Sequence, residues 1–151
     1  MMARFDQVDP ARRRIMSAVR GRDTKPEMLV RRLLLSMNYR YRLHRRDLPG
    51  CPDVVFSKRK KVIFVHGCFW HRHERCKKAT VPKTRADFWK EKFERNVERD
   101  REVESKLAEM GWQTMTVWEC EISEIDALER KLADFLEAKR VPTALRERFC
   151  A

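Results

Sequence analysis

The sequence predicts an α/β domain in which a mixed β-sheet is flanked by helices, and three patterns carry that prediction. Short apolar runs at residues 54–56, 62–65 and 113–118 are rich in β-branched residues and predict strands. Amphipathic segments near both ends of the chain predict helices that pack on the sheet. A long helical segment at residues 84–110 crosses between the second and third of these strands.

Composition and charge predict a single domain that binds nucleic acid. The chain has 151 residues and a net charge of +12, and no apolar run approaches the ~20 residues of a membrane span. Residues 1–32 contain nine Lys or Arg and four Asp or Glu, whereas residues 119–137 contain two and seven. This uneven charge favours nucleic acid, with an acidic protein or a membrane surface as weaker alternatives. Five cysteines and a charged start predict a reducing cytoplasm.

Three segments are expected along the chain. Residues 1–22 are basic and predict an arm that orders on DNA, with a frayed terminus as the alternative. Residues 23–140 are expected to form the domain. Residues 141–151 form a tail that carries no pattern.

The first helix of the domain is predicted by a capping box. Thr24 and Glu27 have the spacing of that motif, in which the two residues satisfy backbone N–H groups at a helix start. The apolar positions that follow have helical spacing and leave Arg31 and Arg32 outside. They are Leu29, Val30, Leu33, Leu34 and Met37. In residues 39–43, apolar or aromatic side chains then alternate with arginine. This alternation has the period of a half-buried strand.

The strands at residues 54–56 and 62–65 are expected to form a β-hairpin, because turn-forming residues precede and separate them. Antiparallel pairing then brings Asp53, at the start of one strand, beside Val65 and His66 at the end of the other. A carboxylate beside histidines predicts a site for a divalent cation and for proton transfer. The alternative for Asp53 is a turn-capping role.

Helical periodicity predicts the remaining helices. The segment at residues 84–110 ends at Gly111. Its inward stripe consists of Trp89, Phe93, Val97, Asp100 and Leu107. A carboxylate on the core side is rare unless paired, so Asp100 is expected to pair with an Arg or His or to belong to the site. Ser123 is expected to open the last helix. Its inward positions are Ile125, Leu128, Leu132, Phe135 and Leu136.

A metal site is expected in the loop after the second hairpin strand. Cys68, His73 and Cys76 lie close together there, and thiolate with imidazole is a ligand set that zinc favours. Cys120 ends another apolar run and is the best fourth ligand. Ordinary buried thiols are the alternative, and for Cys120 alone they would be favoured. Cys51 and Cys150 are expected to be plain thiols.

Adjacent aromatic residues, Phe69 and Trp70, lie between these expected ligands. Rings held by a metal-bound loop are suited to stacking on bases or wedging between them. The alternative is that one ring packs inward over the metal.

Six motifs, in this order, resemble the very short patch repair (Vsr) DNA mismatch endonucleases. They are LPGCPD at 48–53, VHGCFWHRH at 65–73, Cys76, TRADFW at 84–89, NVERD at 96–100 and VWEC at 117–120. The similarity runs from about residue 15 to Cys120. It implies a restriction-endonuclease-like fold with structural Zn²⁺, and Mg²⁺-dependent nicking 5′ to the thymine of a T:G mismatch left by deamination of 5-methylcytosine.

The resemblance also implies a substrate, an oligomeric state, a cellular location and partners. The expected substrate is double-stranded DNA with a T:G mismatch, and the expected state is a monomer without membrane attachment. The expected location is the bacterial cytoplasm, at the nucleoid during action. Other DNA repair proteins are further expected partners.

The resemblance assigns roles to individual positions. Asp53 and the backbone carbonyl of Val65 correspond to the magnesium ligands. His71 corresponds to the catalytic histidine, with Glu27, His66 and Asp100 as supporting groups. The zinc set is Cys68, His73, Cys76 and Cys120, and the DNA-contacting aromatics are Phe69, Trp70 and Trp89.

The sequence departs from the family pattern at two points, and alternatives exist for one residue and for the function. A family member has threonine at the position of Val65, and its spacing of zinc ligands is one residue shorter than His73 to Cys76. Glu27 has the helix cap as a competing role. The alternative functions are a zinc-stabilised DNA-binding module without catalysis, and a restriction-type nuclease that acts on matched DNA.

Overall fold

The computed structural model describes residues 23–138 and shows a four-stranded mixed sheet with helices on both faces. Its elements are α1 Lys25–Ser36, β1 Arg42–Leu43, β2 Val54–Phe56, β3 Lys61–His66, α2 Ala86–Glu109, β4 Gln113–Trp118, a 3₁₀ helix Glu119–Ser123 and α3 Ile125–Glu137. The predicted α/β class is confirmed. The arm at residues 1–22 and the tail at 141–151 lie outside the described residues. Within residues 23–138, every helix is too short or too polar to cross a membrane.

The strands follow one another across the sheet in the order β1-β2-β3-β4. β2 pairs antiparallel with β1 and with β3, so the predicted hairpin is confirmed. β3 pairs parallel with β4, from Lys61 opposite Gln113 to His66 opposite Trp118. The helix α2 forms the crossover between them. The ends of β3 and β4 therefore meet at one edge of the sheet, together with the start of β2.

Side chains of the central strands alternate between two apolar clusters. Ile63 faces a cluster formed with α1 and α3, which contribute Val30, Leu34, Leu128, Leu132 and Leu136. Its neighbours Val62 and Phe64 face the other cluster, with Leu107 and Trp112 on the side of α2. The alternation is that of a strand covered on both faces.

The strand predicted at residues 39–43 is shorter than expected. Only Arg42 and Leu43 pair with β2. The rings of Tyr39 and Tyr41 lie edge-on to Phe56, with centroids 6.3 and 6.4 Å away. The packing of these rings on the core thus holds residues 39–41 in place, where backbone pairing with β2 has ended.

The structure corrects the predicted positions of two helical side chains, Arg31, which was expected outside, and Ile125, which was expected inside. Arg31 is buried, with 7% exposure, because Glu27 and Asp23 pair with its guanidinium. Ile125 is 47% exposed, because the 3₁₀ helix occupies the chain through Ser123 and α3 starts only at Ile125 itself. Ser123 does not cap α3; its hydroxyl donates to the carbonyl of Cys120 at 2.9 Å.

A buried lysine joins the sheet to α3. Lys61 is only 1% exposed, and its ammonium donates to the carbonyls of Phe135, Leu136 and Ala138 at the end of α3. A cation is favourable at a helix C-terminus, where carbonyl groups lack helical partners. Burial lowers the pKa of Lys61. The contact fixes α3 against β3.

Candidate active site

A cleft of about 400 Å³ lies at the edge of the sheet where β2 begins and β3 ends. Titratable side chains from five segments line it. They include Glu27, His44, Asp53, His66, His71 and Asp100, and Cys51, Arg99 and Glu104 complete the set. All five residues predicted to be catalytic are therefore brought together, and His44 joins them.

Asp53 lies immediately before β2 and points along the sheet edge. Its Oδ2 accepts the backbone N–H of Val65 at 2.8 Å. A strand residue presents its N–H and C=O to the same neighbouring strand, so the Val65 carbonyl lies on the Asp53 side. Burial, and to a smaller extent the charge of Glu27, raise the pKa of Asp53 to about 6. A buried carboxylate beside another carboxylate favours a bound cation.

His71 and Asp100 form a hydrogen-bonded pair. The Nδ1 of His71 lies 2.7 Å from Oδ2 of Asp100, which α2 presents to the cleft. Asp100 was expected to pair with an Arg or His or to belong to the site, and its pairing with a His is confirmed. The carboxylate accepts a hydrogen bond from Nδ1–H, so in the neutral imidazole Nε2 carries the free lone pair that a base needs.

The ring of His66 stacks on that of His71, with centroids 3.8 Å apart and planes 7° from parallel. His66 is the last residue of β3 and is buried. Burial, and then the neighbouring His71, lower the pKa of His66 to about 4. A neutral His66 therefore packs beside His71 without adding positive charge.

Glu27 caps α1 and also faces the cleft. Its backbone N–H donates to Oγ1 of Thr24 at 3.4 Å, and its Oε2 accepts the N–H of Asp23 at 3.0 Å. The same oxygen binds Arg31 at 3.1 Å. The carboxylate of Glu27 accepts from Asp23 and not from the N-cap residue Thr24, so only the Thr24 half of the predicted capping box is formed. Glu27 also lines the cleft.

Sequence reasoning missed His44. Its Nε2 lies 3.8 Å from Oε2 of Glu27, and its Nδ1 lies 3.9 Å from Oδ1 of Asp53. The signal was available, because the pairing of Leu43 with Val54 places the next residue beside Asp53. The argument that placed His66 next to Asp53 applies to the end of the preceding strand as well.

Four further residues gather beyond the end of β3. The donor atoms of Cys68, His73, Cys76 and Cys120 lie within 4.8 Å of one another. The 3₁₀ helix carries Cys120 to this place because β3 and β4 run parallel. Four donors around zinc at about 2.3 Å would lie about 3.7 Å apart, so three thiols and one imidazole at this spacing fit Zn²⁺.

The three thiols differ in their surroundings and therefore in their pKa values. Burial raises the pKa of Cys68 to about 12, and burial also raises that of Cys120. Hydrogen bonding from the backbone of Lys78 lowers the pKa of Cys76. A buried thiol loses its proton most readily to a coordinated metal. Cys51 is half-buried on the cleft wall, whereas Cys150 lies outside the described residues.

The aromatic residues of the loop pack against the start of α2. Phe69 contacts Trp89 and Phe93, with centroids 5.8 and 5.2 Å away. Trp89 is buried, at 8% exposure, whereas Phe69 and Trp70 are half-buried. The ammonium of Lys92 lies 5.0 Å from the Trp70 ring. Trp89 thus forms the base on which the two loop rings rest.

Comparisons with known proteins agree with one another. The family model for the DNA mismatch endonuclease Vsr matches residues 5–78. The type II nicking enzyme V.XorIIP of Xanthomonas oryzae is 50% identical over 133 residues, covering 87% of this chain and 97% of that protein. The type II nicking enzyme V.NmeAIP of Neisseria meningitidis is 44% identical, covering 72% and 76%. The DNA mismatch endonuclease Vsr of Escherichia coli is 47% identical, covering 70% and 67%.

Proposed function

The chain belongs to the Vsr family of DNA mismatch endonucleases, and from that premise we propose that it nicks one DNA strand 5′ to the thymine of a T:G mismatch arising from deaminated 5-methylcytosine. As a member it is an endonuclease, which sets aside a DNA-binding module without catalysis. The observation that carries the proposal is the cleft, where Asp53, His66, His71 and Asp100 converge. We also propose that the mixed sheet is that of the restriction-endonuclease-like fold.

Asp53 and the carbonyl of Val65 would hold Mg²⁺. That ion supplies stabilisation of the negative charge that develops on the scissile phosphate. The chain's own part is to present a buried carboxylate of fixed orientation, since the Val65 N–H holds one of its oxygens. The charge of Glu27 adds to the negative potential of the cleft.

His71 acts as the general base in this proposal. Asp100 accepts a hydrogen bond from Nδ1–H and fixes the ring, so Nε2 takes the proton of the attacking water. The neutral His66 ring supports the His71 ring from one side. This arrangement orients the base by a carboxylate, as in other enzymes that pair His with Asp.

Cys68, His73, Cys76 and Cys120 would hold a structural Zn²⁺ that shapes the loop carrying Phe69 and Trp70. These two rings, supported by Trp89, would enter the helix beside the mismatch. Unstacking a base step costs less where pairing is already poor, so inserted rings favour mismatched DNA. The half-burial of Phe69 and Trp70 leaves part of each ring for this contact.

The protein would act as a monomer on duplex DNA in the bacterial cytoplasm, at the nucleoid. Residues 1–22 would be a DNA-contacting arm, and other DNA repair proteins would be partners. The excess of basic over acidic residues supports DNA as the substrate.

A panel of labelled duplexes tests this function. With Mg²⁺, the T:G duplex should be nicked 5′ to the thymine, while matched duplexes and other mismatches remain intact. Chelation of Mg²⁺ should stop the reaction. Cleavage of matched duplexes at a specific sequence would instead favour a restriction-type nuclease.

A further inference from the structure

His44 has a backbone conformation that is uncommon for a side-chain-bearing residue. Its φ is 44°, in the left-handed region. Such conformations cost energy and concentrate at functional sites. His44 directly follows β1, and its side chain is only 16% exposed. The turn of the backbone at this residue sends the imidazole into the cleft, next to Asp53.

Arg31 determines which ring nitrogen of His44 carries the proton. A terminal nitrogen of the Arg31 guanidinium lies 2.9 Å from Nε2 of His44. Arginine can only donate hydrogen bonds, so this Nε2 accepts and the proton is on Nδ1. Nδ1 is the nitrogen that faces Asp53, at 3.9 Å.

The guanidinium is itself held in place. Asp23 binds it at 2.8 Å and Glu27 binds it at 3.1 Å, and the Arg31 side chain is 9% exposed. The contacts therefore form a chain from two carboxylates through Arg31 to His44, and from there to Asp53. A buried, doubly paired guanidinium is a rigid support for the imidazole.

We infer that His44 is a positioning residue for the Asp53 carboxylate, with Arg31 holding it in the Nδ1–H form. Val65 donates to one oxygen of Asp53, and His44 directs a donor at the other. The separation of 3.9 Å exceeds a hydrogen bond, so the inference requires the two groups to move closer when a cation occupies the site. The inference rests on the proposed role of Asp53 as a metal ligand.

Mn²⁺ binding to the full-length, zinc-loaded protein without DNA tests the inference. His44→Phe keeps a ring but removes the donor, and it should weaken Mn²⁺ binding about 10- to 100-fold, as loss of a partner behind a metal ligand does. His44→Gln keeps an N–H toward Asp53 and an oxygen toward Arg31. Because both contacts persist, its Mn²⁺ affinity should stay within about threefold of the wild-type value. Arg46→Gln, at an exposed neighbour, is the matched control.

The roles of Arg31 and His44 are separable from folding. Arg31→Lys keeps the cation beside Glu27 but loses the planar fork, so it should weaken Mn²⁺ binding in the same direction as His44→Phe. The double variant should lose less Mn²⁺ binding free energy than the sum of the losses in the two single variants, because both substitutions break the same chain of contacts. Thermal unfolding of each variant reports whether the fold is kept, and Arg31→Lys carries the test if His44→Phe does not fold.

Wild-type Mn²⁺ affinity in His44→Phe or in Arg31→Lys would overturn the inference. Equal losses in His44→Phe and His44→Gln would also overturn it, because the donor would then not be the cause. Asp53→Asn must abolish this Mn²⁺ binding; if it does not, Asp53 is not the ligand and the inference fails with it. Because no DNA is present, failure to nick a T:G duplex would overturn the proposed function and leave the Mn²⁺ result standing.

Discussion

At the scale of single residues, Asp53 is placed where it weakens the fold. Burial raises its pKa from 3.8 in the unfolded chain to about 6, so the folded protein binds this proton more tightly than the unfolded chain does. The resulting contribution to stability is complete below about pH 3.8 and is lost as the pH rises through about 6. Above that pH the ionised carboxylate is a cost that cation binding would offset.

Asp53→Asn should therefore abolish nicking and stabilise the protein at neutral pH. Without added Mg²⁺, we expect the free energy of unfolding at pH 7.5 to rise by on the order of 2 kcal/mol, from a shift of about two pKa units. Below pH 4 the gain should vanish. Chemical denaturation at the two pH values measures it, with the exposed Glu129→Gln as the control. An equal gain at both pH values would show that ionisation of Asp53 is not the cause.

Trp70 is the residue that separates mismatch selection from general cutting. Trp70→Ala should reduce nicking of a T:G duplex about tenfold or more, since a base stacked on an aromatic ring contributes about 1–3 kcal/mol. Binding to matched DNA depends on contacts with phosphates and should change little. Both are measured at one ionic strength. Phe88→Ala removes a neighbouring ring that lies edge-on to Trp89 and is the control.

If Trp70→Ala weakens matched and mismatched binding equally while nicking selectivity persists, the ring serves only in packing. The same comparison for Phe69 is less informative. Phe69 contacts the Phe93 ring at 5.2 Å in the core of the aromatic group, so its loss would also disturb packing.

At the scale of elements, the loop after β3 depends on its cysteine and histidine ligands. Cys76→Ala should lower the zinc content from one ion per chain to none, and lower the melting temperature by about 5 °C or more, because closed zinc sites contribute directly to folding. Metal analysis and thermal unfolding measure both. Cys51→Ala, which removes a thiol outside the cluster, should keep the zinc. Active wild-type protein without bound zinc would contradict this prediction.

The elements that the sequence predicted well are those with local signals. The apolar runs at residues 54–56 and 62–65 and the polar turn between them define the hairpin, and hairpin pairing alone puts Asp53 beside Val65. The side-chain cap at Thr24 similarly places the start of α1. These features depend on neighbours in the chain, so pattern and structure agree within a few residues.

Other features depend on contacts that no local pattern reports. Arg31 looked solvent-exposed by helical period, but Glu27 one turn earlier and Asp23 before the N-cap of α1 pair with its guanidinium inside the protein. The role of His44 required the register of β1 on β2. Ile125 was misplaced because a 3₁₀ helix and an α-helix differ in residues per turn, which changes the face that follows.

At the scale of the whole molecule, net charge should control binding to matched DNA. With a net charge of +12, affinity should fall steeply with salt, with a slope of about −0.9 in log–log units for each phosphate contact. Replacing Arg12, Arg13 and Arg14 together by Gln should reduce the slope by about three. Fluorescence anisotropy at several salt concentrations measures it.

Arg130→Gln is the control for this charge effect, since Arg130 lies among acidic residues of α3 and should not approach DNA. An unchanged slope in the triple variant, with unchanged affinity, would show that the first 22 residues do not contact phosphates. If Arg130→Gln changed the salt-dependence slope as much as the triple variant does, the effect would come from the overall charge of the protein and not from contacts of residues 1–22 with phosphates.

The parallel pairing of β3 with β4 also sets the order in which the chain can fold. The hairpin of β2 and β3 joins near neighbours and closes quickly, whereas β4 must wait until α2 has been synthesised and has packed. Cys68 and Cys120 follow the same two strands and close this late loop. A zinc ion bound by these cysteines would connect the ends of β3 and β4, and so stabilise the one strand pairing that joins segments far apart in the described sequence.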